Sequence, residues 1–473
     1  MKQLQLEAGD DGTGLKRTLN ATNLIALGIG AIIGTGVFVI TGTVAANNAG
    51  PALVISVIIS GLGCVFAGLC YAEFAAMIPI AGSAYTYSYA SLGEFIAWII
   101  GWDLILEYMF AASTVAVGWS GYVTSVLADF GINIPAKLCH APFDYIDGHW
   151  VATGGLLNFP AVFVIVIISC LLILGIKESV RFNNIIVITK VTVLLLFIGF
   201  GLSYIDTANW HPFVPANTGH FENFGWTGVL TGAGVIFFAY IGFDAVSTAA
   251  QETINPQKNM PIGILGSLLI CTLLYVLVSL VLTGIVSYKE LNVDAPVAYA
   301  INKTGAALMW LRPFIKLGAI AGLSSVILVM LMGQPRIFYT MAVDGLLPKF
   351  LTKIHPRFHT PYITTIIVGV IAAILAGILP IHILSQLVSI GTLLAFTIVC
   401  GSIIVLRKVQ PETSRPFRTP WVPFVPIAGM VICVAQMFAL PTSTWERLII
   451  WMAIGFAIYF LYGIKHSKLR KKD

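Results

Sequence analysis

Residues Gly28-Ile29-Gly30-Ala31-Ile32-Ile33-Gly34-Thr35-Gly36 set four glycines into an apolar run. Each glycine weakens a helix by about 1 kcal/mol relative to alanine. Such runs also serve close helix packing through small residues, but Gly34 and Gly36 stand two apart and share no packing face. A helix that breaks here leaves free N–H groups and about +0.5 of a charge at the start of its second half. Gly34, Thr35 and Gly36 could then present N–H donors to a carboxylate, with the Thr35 hydroxyl as a further donor. Ile32, ending the first half, would offer its carbonyl to an ammonium. A second run, Gly232-Ala233-Gly234 followed by Phe237-Phe238-Ala239-Tyr240-Ile241-Gly242-Phe243-Asp244, offers more carbonyls near Phe238, Ala239 and Ile241. Donors on one side and acceptors on the other match a zwitterion, and an α-amino acid is the simplest such ligand.

The ionisable residues in apolar surroundings narrow the chemistry. Lys190 follows Arg181 by nine residues, about 13 Å along a helix, which puts it near the middle of its segment. A lysine at that depth costs roughly 2.5–3.5 kcal/mol on insertion scales, and it could bind and release a proton. Asp103 and Glu107 are four apart and share a helical face; Glu107 is the deeper and the better candidate partner for Lys190. Ser324 and Ser325 could offer hydroxyls to a small cation or to the Lys190 ammonium, although serines in membrane helices often bond their own backbone. None of the eight histidines lies in a segment interior, His382 sitting at a segment end. A histidine relay, a metal site and a clustered enzyme nucleophile are therefore not expected, and no ring of carbonyls or charges suggests a channel filter.

The surrounding elements follow from composition. Of 473 residues 58% are hydrophobic and only 10% charged, with mean hydropathy +0.91, against about 25% charged residues in a soluble domain. The chain reads as an all-α polytopic membrane protein; soluble enzymes and nucleic-acid binders are excluded. Apolar windows predict twelve transmembrane spans at 24–47, 51–78, 93–127, 157–174, 179–204, 225–250, 260–287, 313–343, 362–379, 383–406, 422–440 and 448–464. Most of the 26 basic residues, among them Arg17, Lys177, Lys258, Arg336, Arg407 and Lys471, fall on one side. The other side holds only Lys137, Lys289, Lys303, Arg312, Lys316 and Arg447. The positive-inside rule makes both termini cytoplasmic. The polar start carries no cleavable signal. Six of the seven cysteines lie in apolar runs, and Cys139 sits in a polar loop.

Spans one and six, the two glycine-broken ones, occupy equivalent places in a five-plus-five inverted repeat, a layout that points to a transporter's binding site. The organisation expected is a cytoplasmic tail (1–23), a first repeat (24–206), a second repeat (207–408), two further helices (409–464) and a basic cytoplasmic tail (465–473).

Taken together the motifs resemble the amino acid–polyamine–organocation superfamily, in particular bacterial amino acid permeases of its cationic amino acid transporter branch. The resemblance runs through Gly28 to Phe38, Tyr71-Ala72-Glu73-Phe74, Gly82-Ser83-Ala84-Tyr85-Thr86-Tyr87 and Gly101-Trp102-Asp103-Leu104-Ile105-Leu106-Glu107-Tyr108. It continues through Phe237 to Glu252, Asn255-Pro256, Met260-Pro261-Ile262-Gly263, Gly333-Gln334 and Asp344-Gly345-Leu346-Leu347-Pro348. It implies alternating access with the substrate between spans one and six. Gly34, Thr35 and Gly36 would hold the carboxylate; Ile32, Phe238, Ala239 and Ile241 would supply carbonyls or walls, with Phe238 as gate. Lys190 would replace a sodium ion and favour proton coupling, Glu107 would face the pocket, and the bulk of Met330 would leave little room for arginine.

The expected function is import of L-amino acids across the plasma (inner) membrane by a proton-coupled secondary transporter, small or medium neutral substrates favoured. An exchanger or a cationic amino acid transporter is the alternative, and a channel a distant one. No cofactor is expected; the driving force is a proton gradient, with sodium left open. The expected partners are the amino acid, the proton and membrane lipid.

Overall fold

The computed structural model describes residues 17–77, 84–85, 88–89, 92–146, 149–175, 180–358 and 360–468. The N-terminal tail up to residue 16, the end of the basic tail from residue 469, and Gly82, Ser83, Thr86, Tyr87 and Lys177 lie outside them. The apolar helices are α1 (Ala21–Ile32), α2 (Leu53–Met77), α3 (Glu94–Asp129), α4 (Phe159–Ile173), α5 (Val180–Gly201) and α6 (Gly225–Ile236). They continue as α7 (Pro256–Ile285), α8 (Leu311–Val343), α9 (Tyr362–Ile378), α10 (Ile381–Val409), α11 (Phe424–Ala439) and α12 (Thr442–Ile458). Among the described residues, eight helical runs are long and apolar enough to cross a membrane; α1, α4, α9 and α11 are shorter apolar helices. Large apolar side chains such as Ile188, Leu195, Leu269, Leu273, Val370, Val431 and Ile449 stand exposed on the outside, as lipid requires and water would not. The protein is a multi-pass membrane protein.

Local signals set the helix ends. The Asn20 side chain caps α1 by accepting from Asn23 N at 2.9 Å, which satisfies one of the free N–H groups of the first turn. Asn158 does the same for α4. Pro256 opens α7, where its missing N–H is not needed.

The helices pair in an ordered way. α3 packs on α8 and α10, α2 on α7 and α6, α1 on α7, α5 on α8, and α4 on α9. Exchanging each of the first five helices with the one five further on returns the pairs 3–8, 2–7 and 4–9 to themselves. The same exchange turns 1–7 into 6–2 and 3–10 into 8–5.

Polar fastenings sit at the ends of these contacts. Asp129, closing α3, binds Arg312 and Lys316 of α8. Glu73 of α2 accepts two bonds from Arg407 of α10, at 3.1 and 2.7 Å, and one from Thr419 N at 2.7 Å. A carboxylate buried this deeply persists only when paired in this way. α12 is held to α3 by reciprocal bonds: the Trp102 indole donates to Trp451 O at 2.8 Å and the Trp451 indole to Trp102 O at 3.2 Å.

The all-α expectation needs one addition. The loop after α3 folds into an antiparallel hairpin, β1 (Phe143–Ile146) with β2 (His149–Ala152).

Candidate substrate site

α1 ends at Ile32, and Ile33 turns to an extended conformation with φ −71° and ψ 100°. Helical winding resumes at Gly36 as a wider π-type turn. The hydrogen-bond ladder is thus open across Gly34 and Thr35, whose N–H groups have no backbone acceptor among the described residues. The Thr35 hydroxyl is buried without a hydrogen-bond partner among them. A buried polar group left in this state costs about 1–3 kcal/mol, which an added acceptor at this end of the break would offset.

The second break follows Gly232 and Gly234 and ends at Gly242. Gly232 and Gly234 stay within α6. The chain then tightens to a 3₁₀ turn at Phe237–Tyr240 and opens at Ile241, which is extended. Gly242 follows at φ +111°, a conformation that favours glycine, and Asp244–Glu252 continues as 3₁₀ rather than α-helix.

The two breaks cross. A Cβ at Gly36 would overlap Ala239, and one at Gly242 would lie 3.0 Å from the Ala31 carbonyl. Between them is a closed space lined by Gly34, Thr35, Gly36, Phe238, Ile241 and Met330, together with Ala31, Ile32, Ala111, Val115 and Val326. Its free volume is about 10 Å³, on the order of one water. An amino acid fits only after the walls separate. Apart from Thr35, the side chains around it are apolar. A much larger cavity of about 950 Å³ lies elsewhere, lined by Thr43 and Asn47, by Val117 and Thr124 of α3, by Asp144 of the hairpin, and by Val235 and His382. It reaches Val117, two residues from Val115 in the closed space.

The carbonyls freed by the break in α1 are occupied from within the protein. Lys190 is wholly buried and donates to Gly30 O at 2.7 Å and Ile33 O at 3.0 Å. The Tyr275 hydroxyl of α7 lies 2.9 Å from both Ile32 O and Ala239 O, so one proton serves a carbonyl from each broken helix. The expectation that Ile32 O stands free is corrected by this contact. Tyr275 is the residue that sequence reasoning missed. The available signal was a single hydroxyl in the apolar run Leu274-Tyr275-Val276, since a buried tyrosine hydroxyl finds a partner.

Other expected pairings differ. Glu107 is buried one turn below Ala111, with the carboxylates of Asp103 and Asp244 and the Thr392 hydroxyl as neighbours. Tyr108 donates to Asp244 Oδ2 at 3.2 Å. Lys190 donates to α1 carbonyls. Ser324 donates to Ile320 O at 2.8 Å and accepts from the Trp119 indole at 2.9 Å, and Ser325 donates to Gly322 O at 3.0 Å. Both hydroxyls thus donate to their own helix, the alternative that mid-helix serines commonly adopt, and Ser324 also receives the Trp119 indole of α3.

The methylthioribose transporter of Bacillus subtilis (strain 168) is 49% identical over 98% of this chain and 97% of its own length. The branched-chain amino acid permease BcaP of the same organism is 48% identical over 97% of this chain and 95% of its own. A chloroplastic cationic amino acid transporter 9 of Arabidopsis thaliana is 42% identical over 87% of this chain and 70% of its own. A family model described as amino acid permease matches residues 19–459, and the chain belongs to that family.

Proposed function

We propose that this permease is a secondary active transporter that imports small or medium neutral L-amino acids with protons, by alternating access. The observation that carries the reading is the crossing of two broken helices around a closed space, with free N–H groups and the unpartnered Thr35 hydroxyl on one side. That side suits a carboxylate. Carbonyls of both helices, shared at present by Tyr275, suit an ammonium. The apolar walls Ala111, Val115, Ile241, Val326 and Met330 suit an aliphatic side chain. A thio-sugar such as methylthioribose has neither charged end, so this geometry favours the substrate named for the branched-chain relative. Glu107 is outside the residues that line this space, and the bulk of Met330 in its wall disfavours a cationic side chain.

Proton coupling is supported by Lys190. Its ammonium holds two carbonyls at the end of the first half-helix, Gly30 O and Ile33 O, and loss of the proton would weaken both charge-assisted bonds. The paired packing of helices one to five with six to ten supports a twelve-span fold with a five-plus-five inverted repeat, 24–206 and 207–408, and two further helices. The distribution of basic residues supports a plasma (inner) membrane protein with both termini in the cytoplasm. The cavity between Thr43, Asp144 and His382 is then the outer vestibule.

Purified protein in vesicles under an inward proton gradient tests the reading. Labelled L-valine or L-isoleucine accumulates, and an uncoupler collapses the accumulation without sodium having any effect. Uptake that needs a counter-substrate inside, or sodium outside, contradicts proton symport.

A further inference from the structure

α5 meets α8 along a face where α8 has no side chains. Gly318 and Gly322 stand four apart and so lie above one another. A Cβ at Gly318 would come within 2.5 Å of Val193 Cγ2, and one at Gly322 would lie 3.0 Å from Lys190 Cε, 3.1 Å from Cγ and 3.4 Å from Cδ. The lysine stem therefore runs along the bare backbone at Gly322 before its ammonium reaches Gly30 O and Ile33 O.

We propose that Gly322 is a positioning residue for Lys190: its missing side chain is the groove that aims the ammonium at the carbonyls freed by the break in α1. The proposal rests on the reading of Lys190 as the proton-carrying group. Carbon atoms pack best at about 3.5–4.0 Å, so an alanine at 322 pushes the stem aside by a few tenths of an ångström. Hydrogen bonds lose strength as distance and angle leave their narrow optimum. The protonated lysine makes those bonds, so a displaced stem holds its proton less tightly. Among the described residues, Cys271 of α7 lies close enough to feel its charge, and Tyr275 of the same helix donates to the neighbouring carbonyl Ile32 O. α1 carries no charge, and the charges of α8 are Arg312 and Lys316, engaged with Asp129, and Arg336, fourteen residues beyond Gly322.

The test is a double-mutant cycle on the full-length protein. Gly322→Ala and Gly318→Ala are each made alone and with Lys190→Ala, and melting temperature and the pH profile of uptake are measured. Gly322→Ala should move half-maximal proton-driven uptake toward acid by about half a pH unit, roughly a threefold weaker hold on the proton. Its loss of melting temperature should shrink or vanish in the Lys190→Ala background, because the crowded partner is gone. Gly318→Ala, which crowds Val193, should keep its loss in both backgrounds and shift no pH profile. An equal loss for Gly322→Ala in both backgrounds, or a profile shared with Gly318→Ala, overturns the positioning role. Proton-driven uptake that survives Lys190→Ala overturns the coupling reading separately, and the cycle alone then decides the contact.

Discussion

Lys190 and the opened turn of α1 stabilise one another. A lysine in hydrocarbon is costly, and so are carbonyls stripped of their helical donors; the bonds at 2.7 and 3.0 Å offset both costs together. Lys190→Ala leaves Gly30 O and Ile33 O without that donor, at about 1–3 kcal/mol for each carbonyl left unpaired. The variant should melt at a lower temperature and lose proton-driven accumulation while keeping part of its exchange of labelled for unlabelled substrate. Vesicles with and without a pH gradient read the two activities side by side. Met330 acts on the opposite wall of the site. Its side chain is buried and lines the closed space together with Ala111 and Val326. Met330→Ser should widen that space and let arginine compete with valine uptake, which competition assays check directly; an unchanged profile removes Met330 from the side-chain pocket.

The breaks depend on contact between helices as well as on their own glycines. Gly242→Ala would force an L-residue to φ +111° and press its Cβ against the Ala31 carbonyl at 3.0 Å. Left-handed backbone alone costs about 1–2 kcal/mol, and the clash adds to it. Uptake should fall roughly tenfold or more with a smaller fall in melting temperature, since α6 above the break is untouched; transport and thermal stability measured on one preparation separate the two. The same comparison explains what the sequence could tell. Lys190 was legible because a single charge in an apolar run has few explanations, and the opening at Gly34 and Thr35 because two glycines two apart make no packing face. Gly232 and Gly234 alone do not locate the second opening, because glycine lowers helix preference equally at each site. Which ladder opens is decided by a neighbour, here Gly36 against Ala239. Tyr275 offers a lone hydroxyl in an apolar run, but its two carbonyl partners, from helices distant in the chain, cannot be read from that run. The hairpin of β1 and β2 has too little alternation in Phe143-Asp144-Tyr145-Ile146 to announce itself.

Across the molecule, helices one to five and six to ten make matching contacts, and the cavity of about 950 Å³ is lined from the hairpin and neighbouring loops on the face where basic residues are scarce. That face carries Cys139, whose thiol is pushed up from its ordinary range first by burial and then by the nearby Asp294 carboxylate. The thiolate is the reactive form, so a membrane-impermeant maleimide should label Cys139 in intact cells slowly at neutral pH and faster as pH rises. Labelling only after the cytoplasmic face is exposed would invert the proposed topology. The claim beneath all of this is that backbone groups of two broken helices hold both ends of a zwitterion. It is tested most directly by melting the purified protein against L-valine, valinamide, N-acetylvaline and methylthioribose, because a ligand bound to the folded state raises its melting temperature. The account predicts a rise with L-valine and little or none with valinamide, which lacks the carboxylate, with N-acetylvaline, which lacks the ammonium, or with the thio-sugar. An equal rise with valinamide or methylthioribose would contradict it.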